Sequence, residues 1–153
     1  MAHQVATRGF AVVDGALSPR VCEALREEIR SLHSSGAAEL NRTVVVTEGA
    51  SGQSRDLLPK RGVWESDMLH PPHLQAARLL AEVQGDATLR ALLSVLLPPL
   101  RLDWQGVKAQ RSNGEGACFP IHVDSDAAVD GRLLTAVFYL NDNHRAEHGG
   151  QLR

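Results

Sequence analysis

Apolar positions recur at helical spacing after Ser18-Pro19. Val21, Cys22, Leu25, Ile29 and Leu32 form one stripe, and Arg20, Glu23, Arg26, Glu27 and Arg30 take the opposite side. Serine ahead of proline starts a helix: the hydroxyl can accept from a free backbone N–H, and the N–H that proline lacks is not needed at the first helical position. A helix is therefore predicted from this pair to just before Gly36. Upstream, residues 9–13 are a short apolar run closed by Asp14-Gly15 and predict a strand. Residues 43–47 are all β-branched and predict another. Residues 48–60 gather Gly, Ser, Gln and Asp, which predicts a mobile loop.

Two more helices follow. Residues 72–83 carry Leu74, Ala77, Leu80 and Ala81 at helical spacing and end at Gly85. Residues 87–97 are capped by Asp86 and stopped by Pro98-Pro99, since proline donates no N–H and disfavours helix in the residue before it. From Leu102 the period changes to that of strands: residues 102–110, 118–124 and 133–140 are successive β patterns, with Ser112-Asn113-Gly114-Glu115-Gly116 as the first tight connection. Helices followed by a meander predict an α+β fold in one domain. Its helical support region covers about residues 1–100, packed on an antiparallel sheet or half-barrel of strands over about residues 101–153.

Composition narrows the function classes. A net charge of -2 with dispersed Lys and Arg, and few aromatic side chains, leaves neither a basic stripe nor a stacking platform for nucleic acid. The N-terminus MAHQVATRGF has no cationic and apolar leader pattern. The longest apolar stretch, residues 91–100, contains two prolines and falls short of the ~20 residues that span a bilayer. A soluble intracellular protein, cytoplasmic or nuclear, with no membrane partner is expected. Cys22 and Cys118 lie far apart with no CxxC, as expected of reduced thiols.

The residues that suggest chemistry are His122 and Asp124. Two positions apart on a strand, an imidazole and a carboxylate leave from one face, as the first two donors of a 2-His-1-carboxylate iron site do. By itself His-x-Asp is ordinarily a hydrogen-bonded histidine beside a turn aspartate. His144 and His148, four apart with Glu147 between them, sit among Asn, Asp, Arg and Gly and predict a solvated loop. His70-Pro71-Pro72-His73 predicts a connector with its histidines in water. Trp64 and Trp104 predict core or rim packing.

The text around the pair is more specific. From Lys108, KAQRSNGEGACFPIHVDSDAAVDGRLLTAVFYLN followed by HGGQLR resembles the Fe(II)- and 2-oxoglutarate-dependent dioxygenases of the prolyl 4-hydroxylase branch. GFAVVDGALSPRVCEALREEI looks like that family's opening strand and first helix, and Arg61-Gly62-Val63-Trp64 like a segment ahead of its central helices. The resemblance implies a double-stranded β-helix, the jelly roll, whose mouth holds Fe(II) and 2-oxoglutarate with O2 as the second co-substrate. It implies His122 and Asp124 as metal ligands, Tyr139 as a phenol reaching 2-oxoglutarate, Thr135 on the same side if the strand alternates regularly, and Arg132 as structural. It implies hydroxylation of a peptide or protein residue such as proline, with 2-oxoglutarate decarboxylated to succinate, and leaves open whether L-ascorbate is required. In such enzymes the distal His and a basic clamp for the co-substrate lie beyond the GGQLR strand. The expectation is thus a dioxygenase domain incomplete at its C-terminus, with a catalytically inactive binding module as the alternative.

Overall fold

The computed structural model describes residues 1–49, 52–114, 116–119, 122, 124 and 131–149. Helix α1 (Ala2–Arg8) ends at Gly9, which takes the left-handed conformation at φ 78°. Residues 9–13, expected as a strand, pair with nothing among the described residues. With no sheet edge beside them, Phe10, Val12 and Val13 stay 60, 70 and 56 % exposed. Helix α2 (Pro19–Ser34) begins as predicted, with the Ser18 hydroxyl accepting from Val21 N–H at 3.4 Å. Its apolar stripe buries Leu25 and Leu32.

Strands β1 (Glu39–Gly49) and β2 (Gly52–Asp67) form a long antiparallel hairpin, and β3 (Lys108–Ser112) pairs with the far end of β2. The expected loop at 48–60 is instead mostly strand: Thr47 faces Ser54, Glu48 faces Gln53 and Gly49 faces Gly52. The polar composition there reflects a two-stranded ribbon in water, exposed along residues 54–59. A bulge between Leu40 and Arg42 turns Asn41 inward, 5 % exposed, where its amide donates to the Glu65 carboxylate. Gln110 and Lys108 donate to the same carboxylate, each at 3.2 Å.

The helix expected over 72–83 is broken into α3 (Pro71–Ala76) and α4 (Arg78–Gly85) at Ala77, φ -135° and ψ 88°. Two tertiary contacts favour the break. His73, expected in water, brings Nδ1 within 2.8 Å of the Asp67 carbonyl oxygen and Nε2 within 2.9 Å of the Ala37 carbonyl oxygen. Glu28 on α2 then accepts from Leu79 and Leu80 N–H, both at 2.8 Å, capping α4 where the local residue Ala77 has no side chain to do so. Glu28→Ala should therefore cost about 1–3 kcal/mol, the range for losing hydrogen bonds to a charged acceptor. The shift in urea midpoint measures it.

Helix α5 (Thr88–Leu96) stops before Pro98-Pro99; its N-cap is Ala87 rather than the expected Asp86, whose Oδ1 accepts from Thr88 N–H at 2.8 Å from one residue further out. Of the predicted strand 102–110, only the end is ladder. Residues 102–107 are held by side-chain amides: Gln84 Oε1 accepts from Val107 N–H at 2.7 Å, and Gln105 Nε2 donates to the carbonyls of Gln84 at 2.9 Å and Asp86 at 2.8 Å. These bonds replace strand pairing and also satisfy carbonyls at the end of α4.

The core lies where α2, α4 and the β2–β3 end meet: Leu25, Leu32, Met68, Ala77, Leu80 and Ala109. Leu140 packs against it. The Leu140 carbonyl accepts from Arg26 Nη1 at 3.1 Å, and Arg26 also pairs with Asp142. Trp64 meets His33 edge-on at 5.0 Å, whereas Trp104 is 69 % exposed.

The fold is α+β with one small antiparallel sheet in the order β1-β2-β3. The expected partial barrel is absent among the described residues. Residues 131–140 are not strand and are mostly exposed, and among the described residues β3 pairs with β2 alone. Of the expected strand 118–124, residues 118, 119, 122 and 124 are not strand, and the rest lie outside the described residues. Among the described residues no helix is long and apolar enough to cross a membrane. Cys22 and Cys118 are free thiols.

Candidate metal centre

Gly62 on β2 moors the connection that leads to the His-x-Asp pair. Asn113 N–H donates to the Gly62 carbonyl at 2.9 Å, and Ala117 N–H closes the turn on the Gly114 carbonyl at 2.9 Å. Gly62 has φ 71°, and a Cβ there would stand 3.0 Å from Ala117 Cβ. Glycine is needed on both counts: its left-handed backbone is disfavoured for other residues, and the turn lies too close for a methyl group. The segment carrying Cys118, Phe119, His122 and Asp124 thus leaves from the side of β2.

There the imidazole and the carboxylate meet, with His122 Nε2 3.0 Å from Asp124 Oδ1 and both side chains 41 % exposed. Thr135, from the 131–140 stretch, donates its hydroxyl to Asp124. This bond, opposed by partial burial and aided by the charges of His122 and Arg132, holds the Asp124 carboxyl below its ordinary range. The His122 ring stacks on Phe119, centroids 6.0 Å apart and planes 27° from parallel. Lys60 Nζ stands 4.2 Å above the Phe119 ring centre. Partial burial lowers the Lys60 ammonium's pKa, while Glu65 and Asp124 pull it back up and Lys108 adds to the lowering.

The Asp124 shift has a definite sign. A depressed carboxyl contributes stability above the ordinary carboxylate range and loses it as pH falls through the folded midpoint. Thr135→Val should move that midpoint upward, so the Asp124 carboxyl 13C resonance titrates at higher pH and the acid limb of stability begins earlier. An unmoved resonance would remove Thr135 from the site.

The structure thus brings together His122, Asp124, Thr135 and Arg132 from the sequence reading. Lys60 and Phe119 were missed: Lys60 sat in an expected loop, and the only available signal was its position next to Arg61-Gly62-Val63-Trp64. Tyr139 lies on the exposed 131–140 stretch and is itself 57 % exposed. His144 and His148 keep to a local turn, as expected: His144 Nε2 is 2.9 Å from the Gly149 carbonyl oxygen, and His148 Nδ1 accepts from Arg145 N–H at 3.1 Å.

The donor set can be tested against a metal. Two neighbouring ligands of an octahedral ion, each about 2.1 Å from it, stand about 3.0 Å apart. His122 and Asp124 have that spacing and the chemistry of an iron pair, nitrogen beside carboxylate oxygen. Two donors fit, although among the described residues no three His, Cys, Asp or Glu side chains come together.

The chain belongs to the phytanoyl-CoA dioxygenase family, which matches residues 5–150 and is part of the Fe(II)/2-oxoglutarate dioxygenase superfamily. The enzymes of this family use Fe(II) and 2-oxoglutarate. The match does not single out the prolyl 4-hydroxylase branch. No curated protein and no solved structure matches the chain.

Proposed function

We propose that this protein is an Fe(II)- and 2-oxoglutarate-dependent dioxygenase domain in which His122 and Asp124 are two of the protein ligands to the metal. The observation that carries the reading is their 3.0 Å approach within a chain of this family. Bound iron with 2-oxoglutarate and O2 supplies C–H hydroxylation: one oxygen atom enters the substrate, the other enters succinate, and CO2 leaves.

The chain's own groups prepare that chemistry. His122 Nε2 lies at hydrogen-bonding distance from Asp124 Oδ1; metal binding requires Nε2 unprotonated and a carboxylate held in place, which Thr135 provides. Lys60 is a cation beside the pair and is suited to a carboxylate of the dianionic keto acid. Tyr139 is proposed to donate its phenol to the same co-substrate, and its exposure leaves the ring accessible. No residue of the chain is assigned as third ligand.

The finer proposal is a peptidyl substrate, in particular proline, on a jelly-roll domain. It rests on the resemblance of the 108–153 text. The test is succinate formation from 2-oxoglutarate with Fe(II), comparing prolyl peptides with branched acyl-CoA thioesters and wild type with Asp124→Ala. Turnover stimulated by prolyl peptides and lost in the variant supports the full reading. Stimulation by the thioester alone would leave the dioxygenase and remove the peptide substrate. No turnover with either, in a folded chain, would favour the binding module.

A further inference from the structure

Phe119 is too exposed, at 41 %, to be a core residue, yet its ring touches two charged or ligating groups from different parts of the chain. Lys60 Nζ lies 4.2 Å from its centre, and the His122 imidazole stacks on it at 6.0 Å. We infer that Phe119 is a positioning residue for the candidate metal centre, its ring setting the tilt of the His122 imidazole and the place of the Lys60 ammonium together. The inference rests on the reading of His122 as a metal ligand.

Three observations support it. The His122 side chain is held at its tip, 3.0 Å from Asp124, and a ring stacked on its face from three residues upstream restricts the tilt of the imidazole about that contact. The face of a phenyl ring is electrostatically negative and attracts an ammonium, which a branched alkyl side chain of similar size does not. Finally, Gly62 clamps β2 to the turn before Phe119 and fixes how Lys60, two residues earlier, approaches the ring. A side chain that merely filled space would need none of this geometry, and leucine would replace it.

The test uses the 153-residue chain metal-free and then with Fe(II) and 2-oxoglutarate under anaerobic conditions. In the metal-free chain, NMR of the His122 ring protons and the Lys60 ε-methylene reports the ring current of Phe119. Phe119→Leu should shift both sets and Phe119→Tyr should preserve both. With iron, Phe119→Leu should weaken 2-oxoglutarate binding about two- to fivefold, the size of an exposed cation–π contact. The loss should be smaller in a Lys60→Met background, where only the His122 contact remains to be lost, and tyrosine should restore the affinity. Unmoved His122 and Lys60 signals in Phe119→Leu would overturn the inference. So would an equal loss of affinity with and without Lys60, since that is what a purely structural role predicts. If the wild-type chain fails to bind iron and 2-oxoglutarate, the dioxygenase reading falls, while the metal-free spectra still decide whether Phe119 couples the two groups.

Discussion

Gly62→Ala is expected to destabilise the protein by about 1–3 kcal/mol and to detach the motif segment from the sheet. Two costs coincide at this position. The backbone at φ 71° is strained for any residue with a Cβ, and the new methyl group would sit 3.0 Å from Ala117 Cβ. The alanine methyl is short and rigid, so relief must come from the backbone, and the Asn113 N–H bond to the Gly62 carbonyl lies at the same place. Once the turn lifts, Lys60 no longer reaches Phe119. The urea midpoint reads the first effect and the Lys60 ε-methylene resonance the second. Gly114→Ala is the control: φ is 73° but nothing lies within 4 Å of the added Cβ, so it should show backbone strain alone, with the Lys60 resonance unmoved.

His122→Ala and Asp124→Ala should each reduce Fe(II) affinity by more than the roughly 10–100-fold that loss of an outer-shell partner costs, because each removes a donor itself. Neither should unfold the chain. The core of Leu25, Leu32, Met68, Ala77, Leu80 and Ala109 does not include them, and both side chains are 41 % exposed. Unaltered helical circular dichroism together with lost iron binding, measured by competition with a chromophoric chelator, is the expected pair of results. Retained affinity in either variant would remove that residue from the ligand set.

The parts of this fold governed by neighbours in sequence were legible in the sequence. The Ser18-Pro19 start, the apolar stripe of α2 and the double-proline stop of α5 all follow from local backbone chemistry. What was not legible depends on distant partners. Glu28 and His73 break one predicted helix into α3 and α4, and no spacing within residues 72–83 reports a carboxylate arriving from α2. Residues 48–60 have a loop's composition, yet those described are mostly strand, and residues 54–59 lie exposed on a two-stranded ribbon. Conversely, residues 102–107 alternate like a strand but are held by the amides of Gln84 and Gln105.

The site divides along the same line. Thr135, expected beside Tyr139 on an alternating strand, instead reaches Asp124 from a stretch that is not strand, whereas His122 and Asp124 were legible from residue type and spacing as a pair that the structure brings 3.0 Å apart. Lys60 and Phe119 were not, since a cation over a ring needs only proximity and leaves no spacing in the chain. The same logic explains the family outcome. The resemblance carried by His-x-Asp and the text around it reaches the superfamily, which the family match supports, whereas the branch depends on surfaces that meet the substrate.

The most direct test of the central claim is an anaerobic titration of the chain with Fe(II) and 2-oxoglutarate, following the visible charge-transfer absorption that arises when the keto acid chelates iron held by protein ligands. The account predicts a saturable band in the wild-type protein and its loss in His122→Ala. A folded wild-type protein that gives no band, or a His122→Ala variant that gives the same band, would contradict it.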